Sequence, residues 1–289
     1  MTCTTLISPE ELAGSIDQCV VVDCRHDLLD VEAGLRSYEE GHIPSAFFLS
    51  MDTDLSGPKI GSNGRHPLPD RETLRCRLEQ LGLRSGQQLV AYDAQGGAMA
   101  VRLWCLARWL GHEAVAVLDG DLRAWRAAGY PLATEATPLP QESGQLDPQR
   151  APLVEMVDAS QVEAMIQSDQ MLLVDARAPD RYAGLIEPMD PVAGHIPGAV
   201  NRFYGKNLRP DGRFKPAQVL REEFVALLGD QASAAVVHQC GSGVTACHNL
   251  LAMQHAGFPD ARLYVGSWSE WVSDPRRPVA QGAVDARNA

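Results

Sequence analysis

Three things are scarce in this chain, and each absence removes a class of function. Basic residues are outnumbered: 25 Lys and Arg stand against 37 Asp and Glu, a net charge of −12. An acidic surface of that kind attracts neither nucleic acid nor an anionic membrane. No apolar run approaches the ~20 residues that a membrane-spanning helix needs. The cysteines number seven, an odd count, and include neither a Cys-x-x-Cys pair nor a His/Cys cluster at zinc spacing. That scatter speaks against a disulfide scaffold and a structural metal. It suits a reducing compartment, so a cytoplasmic location is expected. The first ten residues, Met1 to Glu10, hold no basic stretch followed by an apolar core, so no secretory leader is expected either.

What is present is an ordinary globular composition, 45% hydrophobic and 21% charged, over 289 residues, enough for two domains with a core each. The chain repeats itself. Val20-Val21-Val22-Asp23-Cys24-Arg25 recurs as Leu172-Leu173-Val174-Asp175-Ala176-Arg177, and Gly41-His42-Ile43-Pro44-Ser45-Ala46 as Gly194-His195-Ile196-Pro197-Gly198-Ala199. Leu89 to Asp93 likewise matches Ala235 to Gln239, and Asp119 to Trp125 matches Val265 to Trp271. Each copy alternates short apolar strands with helical stretches, which predicts an α/β fold with a mostly parallel sheet flanked by helices. The expected domains are residues 1–135 and 153–289. The proline-bearing, weakly apolar stretch 136–152 is expected as an exposed linker, and a polar tail is expected from about Asp274.

The stretch that points to chemistry is Cys240-Gly241-Ser242-Gly243-Val244-Thr245-Ala246. The apolar run Ala234 to Val237 precedes it as a strand, and Cys247 to Met253 follows with helical composition. Two glycines let such a strand-to-helix loop curl, so that its amides and the helix N-terminus converge on its centre. A thiol there loses its proton more readily, which makes Cys240 the candidate nucleophile. A cysteine phosphatase would need an arginine at the end of the loop to clamp the phosphoryl oxygens, and Gly241 to Ala246 carry no charge. The bland alternative is that Cys240 is one more small buried hydrophobe.

This loop resembles the active-site loop of the rhodanese superfamily in the form carried by 3-mercaptopyruvate sulfurtransferases; thiosulfate sulfurtransferases usually have an Arg-Lys pair where this chain has Gly241-Ser242. Asp175-Ala176-Arg177, the Gly194 to Ala199 turn and Gly266 to Trp271 follow in family order, so the resemblance spans nearly the whole chain. It implies two tandem rhodanese-like domains, the first inactive and the second catalytic. In the register of the repeat, Ala94 stands where Cys240 does, so the first copy lacks the nucleophile. The implied activity moves a sulfane sulfur from 3-mercaptopyruvate through a Cys240 persulfide to a thiol, thioredoxin or cyanide, with neither metal nor organic cofactor. Thiosulfate is the alternative donor, and a redox sensor using Cys240 as an oxidisable thiol is the alternative of a different class.

Further site residues follow from the resemblance. Arg181 matches one of two carboxylate-binding arginines, while the position of the second is Asp190; Arg202, Lys206 or Arg209 could substitute. Ser242 matches a serine joined in the family by a histidine and an aspartate, best matched by His66 and by Asp52, with Asp54 competing. The loop residues Gly241, Ser242, Gly243, Val244 and Thr245 would line the substrate. Features shared by both copies are expected to be structural: Asp23 with Arg25, Asp175 with Arg177, and His42 and His195. Trp268, Trp271 and Cys247 are expected to pack, and Cys24 is left open.

Overall fold

The computed structural model describes residues 2–168 and 171–282. The chain forms two compact units. One comprises Met1–Gly57, Pro69–Leu153 and Arg209–Phe214; the other comprises Pro58–Leu68, Val154–Leu208 and Lys215–Ala289. Two short segments thus belong to the unit that the linear repeat does not give them.

The first unit holds strands β1 (Leu6–Ile7), β2 (Cys19–Asp23), β3 (Phe47–Phe48), β4 (Gln88–Tyr92) and β5 (Val115–Leu118). All pair in parallel, in the order β1-β5-β4-β2-β3. Helices α1 (Pro9–Ser15), α2 (Ala33–Glu40), α3 (Arg71–Gln80), α4 (Ala100–Trp109) and α5 (Asp121–Ala127) connect them. Ser8 caps α1 as a capping box: its Oγ accepts the Glu11 amide while Glu11 Oε2 accepts the Ser8 amide. Residues 100–108 of α4 are buried all round, which is why that helix carries almost no polar face.

The second unit repeats the plan with β6 (Met156–Val157), β7 (Leu172–Asp175), β8 (Val200–Asn201), β9 (Val236–Gln239) and β10 (Arg262–Tyr264), in the parallel order β6-β10-β9-β7-β8. Its helices are α6 (Ala159–Ser168), α7 (Pro179–Tyr182), α8 (Ala217–Leu228), α9 (Ala246–His255) and α10 (Ser267–Trp271). From β7 the chain goes to one side for β8 and returns to the other for β9. The crevice beyond the carboxyl ends of β7 and β9 is therefore a topological switch point, where open α/β sheets bind ligands. The loop that starts at Cys240 leaves β9 there.

Strand register refines the match between the copies. Asp23 pairs with Tyr92, and Asp175 with Gln239. The residue after each is Asp93 in the first unit and Cys240 in the second, so Asp93, rather than the expected Ala94, occupies the nucleophile position. The discrepancy arises because the first copy has one residue more between the strand and its helix, an insertion that strand similarity alone does not place.

The expected linker is mostly exposed yet fastened, and the expected tail is held down. Residues 136–152 run along the first unit: Gly144 N–H donates to Glu79 O at 2.7 Å, Leu146 N–H to Glu79 Oε1 at 2.8 Å, and Ser85 N–H to Gln145 O at 2.8 Å. Buried Leu146 anchors them. In the second unit Ala280 pairs with His195, and Trp271 Nε1–H donates to Pro278 O at 2.8 Å. The expected tail is thus packed as far as it is described, and residues 283–289 lie outside the described residues. No helix among the described residues is long and apolar enough to cross a membrane.

Candidate active site

The loop after β9 is fastened by the turn that opens α10. Cys240 N–H donates to Ser267 Oγ at 3.1 Å, and that hydroxyl donates to Tyr264 O at 2.8 Å. Trp268 N–H reaches Cys240 O at 3.0 Å, and Ser269 N–H reaches Gly241 O at 2.9 Å. Ser267 holds φ +54°, a left-handed conformation that is strained for a side-chain-bearing residue. Within the loop, Gly243 N–H donates to Cys240 Sγ at 3.2 Å. Gly243 has φ +78°, and a Cβ there would stand 2.1 Å from Val265 O, so both conformation and space require glycine. Among the described residues, no acceptor meets the amides of Gly241, Ser242, Val244, Thr245 or Ala246. Cys240 itself is only 1% exposed, and the Gly243 amide is directed at its sulfur.

Residues 58–68 join this unit at the same turn. Arg65 N–H donates to Ser269 Oγ at 3.0 Å, Ser273 Oγ–H to Ser62 O at 3.3 Å, and Gly64 packs on Gly266. His66 is thereby brought to Ser242, with Nδ1 2.8 Å from Oγ. That pair was expected, and its geometry allows a proton to pass along a hydrogen bond.

Cations surround the uncharged loop. Arg177 forks onto Asp175, donates to Gly194 O at 2.8 Å and lies 4.7 Å over the Trp268 ring. Burial opposes its charge, yet the negative charges of Asp175 and Glu187 and its bonds to Asp175 hold its pKa above the usual value. Arg181 grips Glu187 through Nε at 3.3 Å and Nη2 at 2.6 Å, and Nη2 is 3.5 Å from Asp190. Arg65 Nη1 pairs with the other oxygen of Asp190. A Cβ on Gly241 would meet Arg65 Nη2 at 2.8 Å and Arg181 Nη1 at 3.5 Å, so both guanidinium groups border the loop. Burial raises the Asp190 carboxyl even though Arg65 and Arg181 pull it down. Glu187 is also opposed by burial, but its bonds from Arg181 and the Met189 amide win and hold it below the carboxylate range.

A family model for the rhodanese-like domain matches residues 8–128 and 158–274, covering most of both units. The chain belongs to the rhodanese-like family. Its similarity to members of that family extends over most or nearly all of its length. A Pseudomonas aeruginosa protein named "Probable 3-mercaptopyruvate sulfurtransferase" is 46% identical over 286 residues, which is 98% of this chain and 100% of that one. The human 3-mercaptopyruvate sulfurtransferase is 37% identical over 257 residues, 86% of this chain and 83% of that one. The solved 3-mercaptopyruvate sulfurtransferase from Leishmania major superposes with a TM-score of 0.81 at 30% identity, covering 93% of this chain and 74% of that one.

Most of the remaining candidate residues of this rhodanese-like chain have partners of their own. Arg202 is not available to a ligand: it is buried, pairs with Glu223 at 2.9 Å, bonds Asn207 and Asn249, and lies 4.0 Å over Phe224. Arg209 belongs to the first unit and pairs with Asp211, and Lys206 is exposed on the turn after β8. Asp52 also lies in the first unit, with Oδ2 3.8 Å from His26 Nε2. Asp54 is occupied elsewhere, taking Arg77 Nε at 2.7 Å and the Ser50 amide at 2.8 Å. Burial, with Asp23, Asp93 and Asp54 nearby, pushes the Cys24 thiol well up, so it is a poor nucleophile. Cys247 Sγ bonds Gly243 O at 3.3 Å inside the core. The twin histidines do the same thing twice: His42 and His195 bond Tyr38 O and Tyr182 O through Nδ1 and stack on those rings at 3.8 and 3.9 Å.

Sequence reasoning missed Ser267, Glu187 and Arg65. A signal for Ser267 existed in the repeat, where it aligns with Asp121, and both residues hold φ above +50°. Arg65 had no such signal, since nothing in its spacing places residues 58–68 against the second sheet.

Proposed function

We propose that this protein is a sulfurtransferase that carries sulfur on Cys240, taking it from 3-mercaptopyruvate and passing it to a thiol, thioredoxin or cyanide in the cytoplasm. The observation that carries the reading is the buried Cys240 Sγ opening the loop after β9, with Gly243 N–H directed at it. The names of the full-length relatives support the same reaction. The Cys240 thiolate attacks the substrate sulfur; the S–S bond forms, the substrate C–S bond breaks, and its electron pair leaves on the enolate of pyruvate, which takes up one proton. The persulfide then gives its outer sulfur to the acceptor, and the Cys240 thiolate is regenerated. Loop amides suit the anionic sulfur. Ser242, held by His66, is placed to move or hold the proton, and Asp52 is the proposed third member of that relay. Arg181 and the loop residues Gly241 to Thr245 are proposed to line the substrate.

One observation favours thiosulfate as a second donor: Arg65 and Arg181 border Gly241, and two cations suit a dianion as well as a carboxylate. Steady-state kcat/KM with the two donors decides between them, and a preference for thiosulfate would displace the mercaptopyruvate reading. Mass spectrometry after donor treatment is expected to find one added sulfur on Cys240 and none on Cys240→Ser. Failure to find it with every donor would leave an oxidisable thiol as the better account. Ser242→Ala is expected to lower kcat with mercaptopyruvate by about 10²-fold, the typical share of a positioned proton-transfer group.

A further inference from the structure

We infer that Arg65 is the residue that grips the substrate carboxylate in this chain, with Asp190 as its holder and Arg181 in support. The inference deepens the proposed reading, on which it rests for the identity of the anion; the anion fork itself stands on geometry.

A guanidinium binds a carboxylate best through an edge that offers two parallel N–H groups. In Arg181 that edge is closed, because Nε and Nη2 both go to Glu187. Its other end, Nη1 and Nη2, lies near Gly241, but there Nη2 is shared between Glu187 and Asp190. Arg65 is arranged the other way. Asp190 takes Nη1, while Nε is buried with no acceptor and Nη2 has none among the described residues. The Nε/Nη2 edge of Arg65 is thus open. Its Nη2 is the nearest atom to the side chain that Gly241 lacks, so glycine at 241 keeps clear the space between the fork and the loop. A buried N–H without an acceptor destabilises the fold unless a ligand supplies one.

Asp190 then has a reason to be acidic. The family resemblance puts a second arginine at its position; here the cation comes instead from residue 65, and an acid at 190 sets its direction.

The test uses alkylation of Cys240 by iodoacetate and iodoacetamide, which are alike in size and differ in the carboxylate. Wild type is expected to react preferentially with iodoacetate, and Arg65→Ala to lose that preference by about tenfold or more, with its iodoacetamide rate preserved. Arg65→Lys keeps the charge without the fork; it is expected to raise KM for mercaptopyruvate by about tenfold while kcat stays within about threefold. Arg181→Ala is expected to lose less of the iodoacetate preference than Arg65→Ala. Should Arg65→Ala not fold, Arg65→Gln is measured in its place. An unchanged reagent ratio in the Arg65 variants, or a ratio that collapses only in Arg181→Ala, overturns the assignment. A wild type that shows the Arg65-dependent preference but turns over no mercaptopyruvate overturns the donor reading and supports the fork.

Discussion

Gly243 is the residue at which the candidate site has least freedom. It combines a left-handed backbone, contact with Val265 O and the N–H that meets the sulfur. Gly243→Ala is expected to cost at least about 1–2 kcal/mol from the backbone conformation alone. Because the clash is with backbone, the loop must move, so persulfide formation should be lost along with stability. Denaturant unfolding and stopped-flow donor kinetics together check this; a variant with wild-type kinetics would show that the donor bond is dispensable. The nucleophile was legible because its residue type and its loop carry the chemistry, and Ser242 with its histidine came through the family resemblance. Arg65 and Glu187 were not legible. The first arrives through a segment that joins the second unit, and the second acts by occupying an arginine that the family resemblance had assigned to the substrate.

At the level of elements, the buried parallel strands were readable as apolar runs, and Ser8 with Glu11 marked the start of α1. Composition read residues 136–152 correctly as exposed but not their attachment, and it misjudged the stretch after Asp274, since a few backbone bonds and one buried side chain are enough to fasten a polar segment. Strand β9 carries a further consequence. His238 is buried beside Met253 Sδ, and burial with the charge of Arg202 pushes its pKa down from an ordinary 6.5 to about 3. The native state therefore keeps it neutral between those values while the unfolded chain takes a proton. Its contribution is complete above about pH 6.5 and is lost as pH falls toward 3, at about 1.4 kcal/mol per pH unit across that window. His238→Leu should flatten this part of the dependence of unfolding free energy on pH. Parallel slopes for the two proteins between pH 6 and 4, an interval inside about three pH units of the window, would contradict the assignment.

On the scale of the whole molecule, the two copies share a scaffold and differ at its most reactive point. Asp93 stands at the Cys240 position, and its carboxylate accepts the amides of Gln95 and Gly97 at 2.9 Å, Met99 at 2.7 Å and Ala100 at 3.0 Å. Burial nonetheless holds that carboxyl above the usual range. Ala94→Cys is accordingly expected to add no second persulfide: intact mass after donor treatment should still show one transferred sulfur per chain, and two would refute the register drawn from strand pairing. The first copy thus carries a permanent occupant covalently tethered to its own ring of amides. Isotope exchange should reveal the difference without any assay of catalysis: protection at residues 95–100 should ignore added donor, whereas protection at residues 241–246 should rise once sulfur is loaded.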